Sequence, residues 1–266
     1  MNNLVFGKYI PIDSLMHRLD PRAKLIGLFL MIAAVFIPKS WWVFLVIALL
    51  LALALLLAKI GIKMIVQSFK PMIMMMIFLL VINSLTIKTG DVMFTIGTFA
   101  VYKDAIFNTL FVITRLLLMI SITTLLTAKT NPLDLTLGIE WLVKPLEVIH
   151  FPAHEVAMMV SIALRFIPTI IEETMRIMNA QKSRGVDFEN GRLAEKISAI
   201  LSLIVPLFSV AFERAYELAD AMEARGYVPG EKRTRYHVLH FRFMDYLFIF
   251  ICMAILAFSI LSRIYL

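Results

Sequence analysis

The sequence has one cysteine, Cys252, and little charge: 17% of its 266 residues are Asp, Glu, Lys or Arg. A lone cysteine excludes a disulfide framework within the chain and any site built from cysteine thiolates. Several chemical signatures are also missing. There is no G-x-x-x-x-G-K-[ST] loop to cradle ATP phosphates, no G-x-G-x-x-G, and no Ser, His and Asp set in a recognisable nucleophile motif. His150 and His154 are four apart, and His237 and His240 three apart, which are spacings a helix could use for a metal. Pro152 lies between the first pair, however, and no H-E-x-x-H occurs. Polar helix-end histidines are therefore expected, with no metal and no cofactor.

What the chain has in abundance is apolar surface, with 61% of its residues hydrophobic. A soluble domain of this size fills its core with far less. The excess needs a second apolar solvent, and the lipid bilayer supplies it. The net charge of +7 would suit nucleic acid in a soluble protein. Here the charges cluster between apolar runs, which is a membrane-topology pattern, and no nucleic-acid partner is expected.

The expected fold is all-α and polytopic, with about five transmembrane helices plus long amphipathic cytoplasmic helices. Residues 1–128 hold a polar, basic leader and spans near 25–38, 41–58, 71–87 and 106–128. The leader is 24 residues long and no Ala-x-Ala-like cleavage site follows, so the first run does not read as a signal peptide. Asp20-Pro21 reads as a helix start with proline in its first position. Trp41 and Trp42 fit an interfacial aromatic belt. Residues 59–70 read as a basic connection and 88–105 as a polar one. The last span, near 246–261, belongs to a C-terminal segment 245–266.

The middle segment, 129–244, differs. Its apolar runs 156–171 and 197–212 are sixteen residues each, the first carrying Arg165 and Pro168. A charge at mid-bilayer costs about 2.5–3.5 kcal/mol on insertion scales. Sixteen helical residues reach only about 24 Å of a ~30 Å hydrocarbon core. These runs are expected in amphipathic helices of about thirty residues at the membrane surface, ending near Arg184 and Arg225, with two more tilted, short spans as the alternative. Lys and Arg placement sets the orientation. With the N-terminus inside, 21 of the 26 lie on the cytoplasmic side, four outside, and Arg115 within span four.

The most informative signal is a repeat. Ala180-Gln181-Lys182-Ser183-Arg184-Gly185 recurs 41 residues later as Ala221-Met222-Glu223-Ala224-Arg225-Gly226. Each copy closes one amphipathic segment. Glycine just past a helix adopts the left-handed cap conformation at low cost, and arginine in the last turn complements the helix dipole. One Arg-Gly pair is an ordinary helix end. Two suggest a pair of parallel helix tips, each offering a guanidinium fork to an acidic or carbonyl-lined groove on one of two equivalent receptors.

Ser183-Arg184-Gly185 and Ala224-Arg225-Gly226 resemble the paired X-Arg-X motifs of the transmembrane T component of energy-coupling factor transporters. Leu19-Asp20-Pro21-Arg22-Ala23-Lys24-Leu25 is similar to that family's N-terminal signature, as is Leu133-Asp134 after Asn131-Pro132. The likeness runs the whole length. It implies a membrane bundle with cytoplasmic coupling helices, two ABC-type ATPase partners and a membrane-embedded, substrate-binding S component. In such a family the chain is not an enzyme. It binds neither ATP nor substrate, and it serves uptake of vitamins or other micronutrients across the cytoplasmic membrane. The leader and length look more like the shared type of T component than a dedicated one.

Seventeen methionines fit a surface that accepts several partners, since methionine is flexible and polarizable. Met72, Met75, Met76, Met158 and Met159 are the expected contacts to the S component. Arg115 is a candidate as an intramembrane charge, whether functional or buried and satisfied. A secondary transporter or channel subunit is the alternative reading. It needs convergent polar groups at mid-membrane, and only Arg115, Asn83 and a few Ser or Thr lie within spans. An intramembrane enzyme would need a carboxylate pair or His cluster that the spans lack.

Overall fold

The computed structural model describes residues 16–38, 40–96, 99–149, 152–188, 192–230 and 239–265. Residues 1–15 of the leader with Lys8, as well as Lys39, His150, Lys232, Arg233, Arg235 and His237, lie outside them. The chain forms two compact units: 1–142 with 239–266, and 143–238.

The first unit is a helical bundle. Asp20 caps α1 (Pro21–Phe36) by accepting the Arg22 backbone N–H at 2.9 Å, and Pro21 takes the first position, where its missing N–H is no loss. After it come α2 (Trp41–Leu57), α3 (Ile62–Phe69), α4 (Ile73–Thr86), a two-stranded hairpin, α5 (Lys103–Lys129), α6 (Pro132–Val143, entering the second unit at its last residue) and, after the second unit, the C-terminal helix. That second unit holds α7 (Ala153–Ser183) and α8 (Leu193–Ala224), and the last helix is α9 (Phe243–Tyr265).

α5 is the hub of the bundle, packing on α1, α2, α3 and α4, while α9 packs on α1 and α2. Ala34, Val35, Val43, Phe44, Ile47, Leu118 and Ile255 form the main apolar cluster. On α2, Val43, Ile47 and Leu51 recur every four residues on the buried face, while Trp42, Leu45, Leu49, Leu53 and Leu56 are exposed on the other. A helix apolar on both faces with one uncovered has its second solvent in lipid. The α1–α9 contact uses small residues, as packing in a membrane favours. Ala23, Gly27, Ser259 and Ser262 are buried there or along those faces, and a Cβ at Gly27 would overlap the Phe248 ring.

Two connections differ from expectation. The basic connection 59–70 is largely helical. α3 runs through a 3-10 turn at Lys70–Met72 into α4, so Ile62–Thr86 forms one 25-residue rod. Pro71 sits in that turn, where its missing N–H breaks no α-helical bond, rather than opening a span. The polar connection 88–105 contains β1 (Val92–Ile96) paired antiparallel with β2 (Phe99–Tyr102). The β-branched and aromatic residues of V-M-F-T-I and F-A-V-Y suit a strand pair, outweighing the flanking polar residues.

Five helices among the described residues are long and apolar enough to cross a membrane: the rod Ile62–Thr86, α5, α7, α8 and α9. Membership of the set differs from the sequence reading. α1 and α2, with 16 and 17 residues, fall short by length, whereas α7 and α8, with 31 and 32, qualify. Pro168 and Pro206 lie inside these helices without ending them, so each short apolar run is part of one long helix. All-α and multi-pass holds as the class.

The two ends of the bundle meet at Asp245. Its Oδ2 accepts the Arg242 backbone N–H at 2.6 Å, capping α9, and its Oδ1 accepts the Asp20 backbone N–H at 2.8 Å. The side chain is 1% exposed. Asp245→Asn keeps the shape but points an amide donor at one of two N–H groups. It is expected to destabilise the bundle by about 1–3 kcal/mol, the cost of an orphaned buried donor. Thermal unfolding of the detergent-purified protein checks this, and an unchanged midpoint would count against the shared cap.

Candidate functional site

Both arginine-glycine pairs form the same structure. Arg184 is the C-cap of α7, with φ −89° and ψ 5°, and Arg225 is the C-cap of α8, with φ −90° and ψ 10°. The glycines that follow are left-handed, Gly185 at φ +88° and Gly226 at +71°. Gly185 N–H donates to Lys182 O at 3.0 Å and Val186 N–H to Gln181 O at 3.1 Å. The second tip repeats the pattern, Gly226 N–H to Glu223 O at 2.8 Å and Tyr227 N–H to Met222 O at 2.9 Å. These paired bonds are a full Schellman motif at each end, satisfying carbonyls the helix leaves open. Each arginine therefore sits one position beyond the last helical turn where the sequence placed it.

Ser183, Arg184, Gly185, Ala224, Arg225 and Gly226 are all exposed. Among the described residues neither tip guanidinium has a hydrogen-bond or ion-pair partner. Ser183 Oγ folds back onto Asn179 O at 3.1 Å. The tips therefore present two uncommitted cations on rigid, identically capped supports.

The helices also touch at equivalent positions. Arg214 Nη2 of α8 bonds Glu173 Oε1 of α7 at 3.1 Å, and Arg176 adds a longer contact to the same carboxylate at 3.4 Å. The bridge joins residues 41 apart, the spacing of the repeat itself. Each tip arginine lies eleven residues past its bridge residue, about 16 Å along the helix. Chain length then decides the direction. Parallel helices crossing here would need a link of about 46 Å between Ser183 and Leu193. The link reaches at most about 35 Å. The tips are therefore not parallel: α8 runs against α7, and the two arginines stand roughly 25 Å or more apart. Glu173 and Arg214 were invisible to sequence reasoning except as charges at matching repeat positions.

A further surface was missed. Along α8, Leu193, Ile197, Leu201, Val205, Phe208 and Phe212 are exposed every three to four residues, a continuous apolar ridge. Of the methionines, Met75 and Met159 are exposed at 38% and 58%, while Met72, Met76 and Met158 are half-buried. Met72, Met75 and Met76 lie in the first unit, and Met158 and Met159 in the second. Arg115 is held inside the bundle. Its Nη2 donates to Pro38 O at 3.2 Å, and the guanidinium lies 5.2 Å from the Phe111 ring centre and within 5.9 Å of those of Phe36 and Phe44. No group of three or more metal-ligating side chains occurs among the described residues.

Apolar helices of this length and number define a multi-pass membrane protein. A family model described as cobalt transport protein (CbiQ) matches residues 13–236. The energy-coupling factor transporter transmembrane protein EcfT of Bacillus subtilis is 44% identical over 239 residues, covering 90% of each chain. EcfT 1 of Listeria monocytogenes is 39% identical over 245 residues, with 92% of each covered. EcfT of Streptococcus thermophilus is 40% identical over 255 residues, 96% of this chain and 97% of its own. The chain belongs to this family, the transmembrane components of energy-coupling factor transporters.

The caps admit a local test. A Cβ at Gly185 or Gly226 would meet nothing within 4 Å, so only the backbone conformation demands glycine. Gly185→Ala is expected to loosen its cap by about 1–2 kcal/mol, raising amide exchange at Val186 fivefold or more. Exchange equal to the parent's would mean that the left-handed cap does not hold this end.

Proposed function

We propose that this chain is the coupling subunit of an energy-coupling factor importer. It carries ATP-driven motion from two ATPase subunits to a membrane-embedded, substrate-binding S component that takes up vitamins or other micronutrients. The chain itself is non-catalytic. It resides in the cytoplasmic membrane with the N-terminus inside, which the Lys and Arg asymmetry supports. α7 and α8 lie at the cytoplasmic surface, a placement favoured by Arg165, Glu172 and Glu173 within α7.

The observation that carries the proposal is the twin tips: two identically capped, exposed arginines, neither paired among the described residues, on helices bridged at matching positions. Each arginine, flanked by Ser183 and Gly185 or by Ala224 and Gly226, docks in a groove on one ATPase. The separation of the tips favours two receptors over one. When the ATPases close on ATP, the grooves approach and the pinned tips move relative to one another. The apolar ridge of α8 and the methionines, Met72, Met75, Met76, Met158 and Met159, are the proposed face for the S component. ATP shifts that partner only if the two states differ in contact energy with it.

The test is purification of the complex and measurement of substrate uptake and ATP hydrolysis for Arg184→Ala, Arg225→Ala and the double variant. An interface arginine is typically worth 2 kcal/mol or more on truncation, so each single change is expected to weaken assembly or coupling by about tenfold or more, and the pair severely. Arg→Lys is expected to rescue poorly, because an ammonium cannot reproduce the fork. A double variant that assembles and transports like the parent would end the proposal.

A further inference from the structure

The chain passes between its two units twice, at Leu142–Val143 and at Val238–Leu239. Beside each crossing, inside the first unit, stands an aromatic residue: Trp141 just before the first and Phe241 just after the second. Both rings close on one cation. The Arg22 guanidinium lies 5.6 Å from the Trp141 ring centre and 6.0 Å from that of Phe241, and the two rings meet edge-on at 6.3 Å. Arg22 Nε is buried with no hydrogen-bond partner among the described residues, so ring faces meet that part of the guanidinium in place of an acceptor.

Arg22 is itself fastened. It lies in the first turn of α1, and its N–H caps onto Asp20, whose own N–H is held by the buried carboxylate of Asp245 in α9. The start of α1 also packs closely on α6, since a Cβ at Gly138 would come 2.9 Å from Leu25 Cδ1 and 3.4 Å from the Pro21 carbonyl carbon. Tyr246 extends the aromatic chain from Phe241 into α9 at 5.5 Å.

We infer that Arg22 is a positioning residue for coupling, clamping the two chain crossings to the joint start of α1 and α9. This rests on the reading that the second unit moves with the ATPases. A displacement of residues 143–238 reaches the bundle covalently through these two crossings alone. A free crossing has two soft dihedrals per residue and absorbs a shift of a few ångströms without passing it on. Here each crossing is tied within three residues of its end to one cation, and that cation to the first and last helices. The motion of both crossings is delivered to α1 and α9 together. The rings stand at 63° to one another, and the guanidinium lies within reach of both, a contact that suits a planar, delocalised cation.

The test uses the full complex with its ATPases and S component in liposomes. The variants are Arg22→Gln, Trp141→Leu and Phe241→Leu, with Trp141→Phe as the conservative control. Assembly, ATP hydrolysis and substrate moved per ATP are read separately. The expected result is assembled complexes that hydrolyse ATP but move about fivefold less substrate per ATP, the scale of one lost cation–π pairing. Trp141→Phe should remain near the parent, and Arg22→Gln combined with Trp141→Leu should be no worse than Arg22→Gln alone. Unchanged substrate per ATP in all three variants overturns the inference. So does uptake that falls only in step with the amount of assembled complex, or a Trp141→Phe that fails like Trp141→Leu. A parent chain that purifies without ATPases sinks the coupling reading itself, whereas a coupled parent with coupled variants removes only the clamp.

Discussion

One buried carboxylate ties the beginning of the bundle to its end. Asp245 caps α9 with one oxygen and, with the other, holds the residue that caps α1. Backbone N–H groups at helix starts have no intrahelical acceptor, and leaving one bare where it is buried costs about 1–3 kcal/mol. Sharing a carboxylate meets two such groups and makes the first helix depend on the last. Gly27 of α1 then lets Phe248 and Cys252 of α9 approach closely. Within the first unit, Trp141 and Phe241, which flank the second unit in sequence, also meet, at 6.3 Å.

The parts of this fold that are local were legible in the sequence. The start of α1 at Asp20-Pro21, the long apolar helices and the two glycine-capped tips each follow from a few neighbouring residues. What was not legible depends on distance or on competition. Asp245 reads as an ordinary first-turn acid, and nothing near it points to a partner 225 residues away. The hairpin at 92–102 competes with a polar, glycine-bearing loop, and the pairing that decides it is visible only across the two strands. Residues 62–70 look basic and loop-like, yet they join α4 through a 3-10 turn that tolerates Pro71.

The same division runs through the candidate site. The Schellman ends were readable because six residues specify each one. That Glu173 and Arg214 bridge the two helices was not, since matching positions in a repeat carry no instruction to touch. Arg115 shows how a charge within an apolar helix settles with no counter-ion among the described residues. A carbonyl at the α1–α2 connection and three aromatic faces surround it, none of which a linear motif could announce.

The bridge between Glu173 and Arg214 divides each helix into unequal arms. From bridge to arginine tip is about 16 Å on both, while from bridge back to the first residue is about 30 Å on α7 and 31 Å on α8. A pair of rods pivoting there behaves as scissors with short handles and long blades. A 10° change of crossing angle shared equally carries each handle about 1.4 Å and each blade end nearly twice as far. Pro168 and Pro206 both lie on the blades and neither on the handles. A proline kink is thus open only to the side where displacement is greatest, and the arginine-bearing ends keep an unbroken ladder of helical bonds.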